Sequence, residues 1–166
     1  NIDALAGQSV VLERSWAMSS FTGRAIGPML MGRYPSEAYC NTTHLARYFD
    51  KNRMLAEILQ EACLKTAAVN AHPYFSHSGL HQGFERFIVV QGRGGSEADL
   101  RITGNESADE TIALLRDRSF TDGRFFLWVH LMDPHKEYLT QPGHQEFGTD
   151  SRGRSNGEGA FPDGQV

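Results

Sequence analysis

With 166 residues, 40% of them hydrophobic, and a net charge of -4, the chain has enough apolar residues for one soluble globular domain and lacks the basic balance of a nucleic-acid binder. Its two cysteines, Cys40 and Cys63, are too few for a disulfide framework and lack metal-site spacing. No apolar run approaches the roughly 20 residues of a membrane span, no signal peptide stands out, and a start at Asn rather than Met is the expectation for a fragment or processed form, which leaves the compartment open.

Taken in order, residues 9–14, with Val10, Val11 and Leu12 together, predict a short buried strand. A loop follows in which Thr22 stands among small residues and glycines. An apolar run through Ile26, Met29, Leu30 and Met31 then stops at Gly32-Arg33-Tyr34-Pro35. The pattern describes a helix with a hydroxyl at its N-terminus, where unpaired amides and the helix dipole stabilise an anion. Read alone, it equally describes an ordinary Ser/Thr N-cap. Residues 36–52 are polar and turn-rich, with Asp50 or Asn52 as a helix cap. Met54, Leu55, Ile58, Leu59 and Ala62 recur at helical spacing and predict an amphipathic helix with one face on a sheet.

Lys65–Asn70 reads as a buried strand, residues 71–84 as a loop and residues 87–90 as another short strand. In the loop that follows, Gly92, Gly94 and Gly95 suggest a nucleotide loop, but Glu97 stands where its last glycine belongs, so a flexible turn is the better reading. Ser107 and Glu110 form a capping box for a helix running to Arg118, with Ile112 and Leu115 on its inner face. Thr121-Asp122-Gly123 turns the chain into residues 125–131, a near-continuous apolar strand of the kind covered on both faces in a parallel or mixed sheet. The alternation of strand and helix predicts a three-layer α/β/α domain without internal repeats. By periodicity, the polar, glycine-rich residues 143–166 are an irregular tail. His130 reads as a core histidine, and Asp133 as either orienting an imidazole or capping its turn. His72, His77 and His81 could be taken for a metal cluster, but three histidines in a loop are more often incidental.

Several of these motifs carry a family resemblance. Gly32-Arg33-Tyr34-Pro35 resembles the end of the sulfatase signature of the alkaline phosphatase superfamily, where Cys/Ser-x-Pro-Ser-Arg is followed by Leu-Thr-Gly-Arg-Tyr-Pro. That spacing sets Thr22 on the nucleophile position, with Arg24, Ala25 and Ile26 in place of Pro, Ser and Arg. Thr cannot become formylglycine; as a direct nucleophile it is similar to the phosphodiesterase and phosphotransferase relatives. Asn1-Ile2-Asp3-Ala4-Leu5-Ala6 resembles Pro-Asn-Ile-Asp-x-Leu-Ala, a short helix after the first metal-binding aspartates, which the resemblance therefore places outside this chain. Cys63 stands where the family ends a helix with Gly, in a left-handed position that is costly for other residues. Asn70-Ala71-His72 resembles the family's Lys-x-His, with Asn70 replacing the lysine, and Gly83-Phe84 matches the segment closing that loop. Residues 128–138 are similar to His-x-x-Asp-Pro-His-x-Pro-Tyr, with Glu137 for Pro and His135 as the ester-contacting histidine. Residues 155–163 resemble a family helix, weakened here by Gly159 and Pro162, which cost about 1 and 3 kcal/mol in a helix interior.

The resemblance covers nearly all of residues 1–166 as the central portion of one catalytic domain, and implies an alkaline phosphatase-like fold. It implies hydrolysis of a sulfate or phosphate ester of a small molecule or glycan. Thr22 would be nucleophile and metal ligand, His72 and His135 catalytic, and Asn70, His72 and His135 substrate-binding. The divalent ion would be Ca²⁺ in a sulfatase, or Zn²⁺ or Mn²⁺ in a phosphodiesterase-like enzyme, and the setting periplasmic, extracellular or membrane-anchored. The rival reading is an inactive relative that binds an anion or partner. It draws on the missing aspartates and later metal motif, the absent formylglycine precursor, Asn70 for Lys and the disrupted last helix.

Overall fold

The computed structural model describes residues 2–43, 45–94, 101–133 and 135. Its centre is strand β1 (Lys65–Asn70), which pairs in parallel with β2 (Arg86–Val89) on one side and β5 (Phe125–His130) on the other. A two-residue antiparallel ladder joins β3 (Arg93–Gly94) to β4 (Arg101–Ile102). Around these lie α1 (Ile2–Ala6), α2 (Thr22–Met31), α3 (Leu55–Glu61), α4 (Gly104–Arg116) and α5 (Arg118–Thr121). The protein is thus a mixed α/β structure built on a small three-stranded parallel sheet.

Residues paired across a parallel sheet share a face, so the register sorts the core. Ala68, Phe87 and Trp128 lie on one face, and that side packs Leu30, Tyr48, Met54, Tyr74, Phe75 and Leu80. Ala67, Val69, Ile88, Leu127 and Val129 lie on the other, against Leu114 of α4 and Phe120 of α5. Small side chains in β1 let both layers approach it, and Thr66 through Asn70 are all buried. As expected, the segments 65–70 and 125–131 enter one sheet, but β5 ends at His130 and is half-buried along most of its length. Among the described residues it is an edge strand, with cover on the β1 side only, which is why its apolar run overstated its burial.

Other expectations are corrected. Residues 9–14 form no strand: Val10, Val11 and Leu12 are exposed, since three consecutive apolar residues without a neighbouring strand leave their backbone bonds unmade. Neither Asp50 nor Asn52 caps α3. The Glu57 carboxylate accepts from the Met54 amide, while Asn52 is buried, accepting from the Tyr39 amide and donating to the Tyr39 and Phe49 carbonyls. Only Met54 and Ala56 bury the α3 end; Leu55 and Ile58 face outward. The Ser107–Glu110 box is likewise internal to α4, which starts three residues earlier, and Leu114 rather than Ile112 or Leu115 is its buried apolar residue. The predicted 143–166 tail and the 155–163 helix lie outside the described residues.

Two helix ends behave as the residues require. Gly32 closes α2 in the left-handed region at φ 62°, with the Arg33 amide donating to the Pro28 carbonyl. After α3, Cys63 occupies the same region at φ 61° although it carries a Cβ, a conformation that costs a non-glycine residue about 1 kcal/mol or more. Cys63→Gly should therefore raise unfolding stability by roughly 0.5–1 kcal/mol, gain in the native turn being partly offset by glycine's unfolded-state entropy. Thermal melting of the two proteins checks this, and a lower melting temperature for the glycine variant would contradict it.

Candidate functional site

Because β1 and β5 run parallel, with Asn70 beside His130, their following loops leave the same carboxyl edge of the sheet, the edge where open α/β sheets place ligands. There a cavity of about 330 Å³ is lined by Ser20, Phe21, Thr22, Gly23, Leu45, His72, Tyr74, Phe75, His130, Met132 and His135. Thr22, His72 and His135 meet at it from three separate segments.

Thr22 is the first residue of α2, which has no side-chain cap, and the Arg24 and Ala25 amides both donate to the Phe21 carbonyl at 2.9 Å, so the Thr22 and Gly23 amides are left for solvent or a ligand. Tyr48 fixes the helix in place. Its hydroxyl donates to the Gly23 carbonyl at 2.7 Å, and its ring lies where any side chain on Gly27 would overlap it. Burial pushes the Tyr48 hydroxyl up to about 12, keeping it a neutral donor. On the facing side the Tyr74 hydroxyl donates to the Ala46 carbonyl at 2.5 Å, tying the short helix after β1 (Pro73–Ser76) to the segment that carries Tyr48.

His72 precedes that short helix, and its Nδ1 accepts the Tyr74 amide at 3.0 Å. With Nδ1 used as acceptor, the ring proton belongs on Nε2, making that nitrogen a donor. His135 follows a turn in which its amide donates to the Met132 carbonyl at 2.9 Å. Asp133 supports this turn. One carboxylate oxygen accepts from the Thr103 amide and hydroxyl, both at 2.8 Å, and the other from the Gly104 amide at 2.9 Å. The carboxylate thus caps α4 across the sheet edge, and Gly104 leaves room for it. The cap expected at the turn of Asp133 itself is found instead on a helix distant in sequence.

His130 departs from expectation. It is no satisfied core residue: it lines the cavity, its ring 4.7 Å from Phe75 and 6.2 Å from Trp128. Its Nδ1, like that of His135, is sealed from solvent without a hydrogen-bond partner among the described residues. Burial, then repulsion from His72 and His135, pulls its pKa down to about 4. Strand alternation could have found it, since His130 continues the face of Trp128. Asn70 is also corrected. It is wholly buried within β1, does not line the cavity, and its amide donates to the Ile88 carbonyl at 3.5 Å. As part of the central strand it is closed in by strands on both sides, whereas its register partner His130 is on the edge strand.

His77 and His81 line a separate small cavity with Arg47 and Asp50, so they do not join His72. Among the described residues no three His, Cys, Asp or Glu side chains are grouped to hold a metal ion. The divalent ion that the resemblance implies thus finds no assembled ligand set in them, and Thr22 is without carboxylate company in the described cavity lining.

No family model matches the sequence, and no curated protein matches it either. No helix among the described residues is long and apolar enough to cross a membrane.

Two measurements follow from this geometry. An unfolded imidazole titrates near 6.5 but His130 near 4, so between those values the unfolded state binds the extra proton. Stability should fall by up to about 3 kcal/mol as pH drops from about 6.5 to 4, and His130→Phe should flatten that slope in denaturant titrations. Calorimetry with Ca²⁺, Mg²⁺ and Zn²⁺ should show little binding to this chain, whereas a tight stoichiometric site would place the metal among these residues.

Proposed function

We propose that the cavity is the ester site of a sulfatase-like hydrolase acting on sulfate or phosphate esters, within an alkaline phosphatase-like three-layer domain. What carries this reading is the meeting of Thr22, His72 and His135 around one cavity at the carboxyl edge of the sheet, three residues chosen from sequence motifs alone. In-line displacement needs a nucleophile on one side of the ester and donors around its oxygens. Thr22 Oγ1 forms the bond to sulfur or phosphorus and releases its proton to solvent. The bond to the alcohol oxygen breaks, and that oxygen, hydrogen-bonded to His135 Nε2–H, takes up a proton from water. The first-turn amides of α2 and His72 Nε2–H hold the charged oxygens. Water then hydrolyses the threonine ester, restoring the hydroxyl and freeing sulfate or phosphate.

A second reading, an anion-binding protein without turnover, draws on Asn70, which removes the family's lysine charge and lies beneath the site rather than in it. Substitution separates the two. With aryl sulfate and aryl phosphodiester substrates, Thr22→Ala should abolish turnover while inorganic sulfate or phosphate still binds, and His135→Ala should weaken both. Turnover unaffected by Thr22→Ala would remove Thr22 as nucleophile. Anion binding with no turnover in the wild type would favour the second reading.

A further inference from the structure

We propose that His130 is a third substrate-contacting imidazole, presenting Nε2–H to the same oxyanion that His72 and His135 hold; the inference rests on the reading of the cavity as an ester site. As the last residue of β5, His130 stands between the loop bearing His135 and the loop bearing His72 and lines the cavity with both. Its packing asks only for an apolar ring: Phe75 lies tilted against it at 4.7 Å and Trp128 at 6.2 Å. A phenyl group would satisfy those neighbours without leaving a sealed polar atom, and buried polar atoms are normally paired. The imidazole is therefore costly for the fold unless its other nitrogen serves a ligand.

The sealed Nδ1 shows how it does so. A buried N–H without an acceptor is worse placed than a bare ring lone pair, so a neutral ring whose Nδ1 has no partner among the described residues is best with its proton on Nε2. The same holds for His135. His72 reaches the same state by another route, because the Tyr74 amide occupies its Nδ1. Three rings on three backbone positions thus direct the same kind of donor into one space. A tetrahedral oxyanion has enough acceptor oxygens for all three and for the first turn of α2.

The test is calorimetric titration of the full chain with inorganic sulfate and with inorganic phosphate. His130→Phe keeps the ring packing and removes the donor, so binding should weaken roughly 10- to 100-fold. His130→Gln, which returns an N–H donor, should recover part of that loss. A His130→Phe protein that binds like the wild type, while His72→Ala and His135→Ala lose the anion, overturns the role of His130 and leaves the ester site standing. A wild type that takes up neither anion overturns both. Nitrogen-15 NMR of the histidine rings needs no variant: sulfate should shift the His130 resonances with the proton on Nε2, and unchanged resonances at saturation would refute the contact.

Discussion

Helix α2 carries the hydroxyl end of the site, and it meets the body of the protein through Tyr48. The ring can sit against the helix only because Gly27 has no side chain, and its hydroxyl closes the contact by donating to the Gly23 carbonyl. Tyr48 is itself held from behind, its amide donating to the Ser78 carbonyl at 2.8 Å. With Tyr74 bonded to Ala46, these links lock α2, the 39–49 segment and the loop after β1 into one unit. A buried hydrogen bond of this kind contributes only about 1 kcal/mol, but its loss leaves a carbonyl unpaired in the core. Placement of Thr22 therefore depends on a residue outside the described cavity lining.

The chemistry follows from how little formal charge lines the cavity. Neither lysine nor arginine appears among its described lining residues, burial holds His130 neutral, and the Tyr74 amide makes His72 Nδ1 an acceptor. An anion there meets oriented dipoles, namely imidazole N–H groups and the first turn of a helix. Such groups are already turned toward the charge and need no rearrangement to receive it. Phe21, Leu45, Phe75 and Met132 supply the apolar part of the lining, which in the proposed function takes the organic part of the ester.

What the sequence made legible was local and strongly patterned. The run ending in Gly32 and the alanine-rich β1 follow from the needs of their own residues, and the left-handed turn at Cys63, expected from the glycine that the resemblance puts there, is present despite its Cβ. Motif spacing was enough to bring Thr22, His72 and His135 together. The failures share a cause: they required knowing a neighbour far away in sequence. Asp133 caps a helix that starts 29 residues earlier, so a search for caps beside α4 settled on Ser107. Val10 to Leu12 looked buried because apolar residues usually are, yet no strand comes to pair with them. Asn70 and His130 exchanged expected places although they are register partners, because β1 is the central strand and closes Asn70 in on both sides, while β5 is an edge strand among the described residues.

The order of strands also sets a timetable. In the sheet order β2-β1-β5, β1 pairs with β2 at a separation of 19 positions, as in Ala67 with Arg86, but with β5 at 60, as in Lys65 with Phe125. A chain leaving the ribosome can lock α2 onto Tyr48 and zip β1 to β2 while β5 is still unmade. Until residue 130 emerges, β1 shows one bare edge of backbone donors and acceptors, the kind of surface that recruits another chain. The loop-closure entropy of so distant a pairing makes this step slow compared with helix formation. The wall bearing His130, Met132 and His135 arrives with that strand, so closing the sheet and completing the cavity are one folding event.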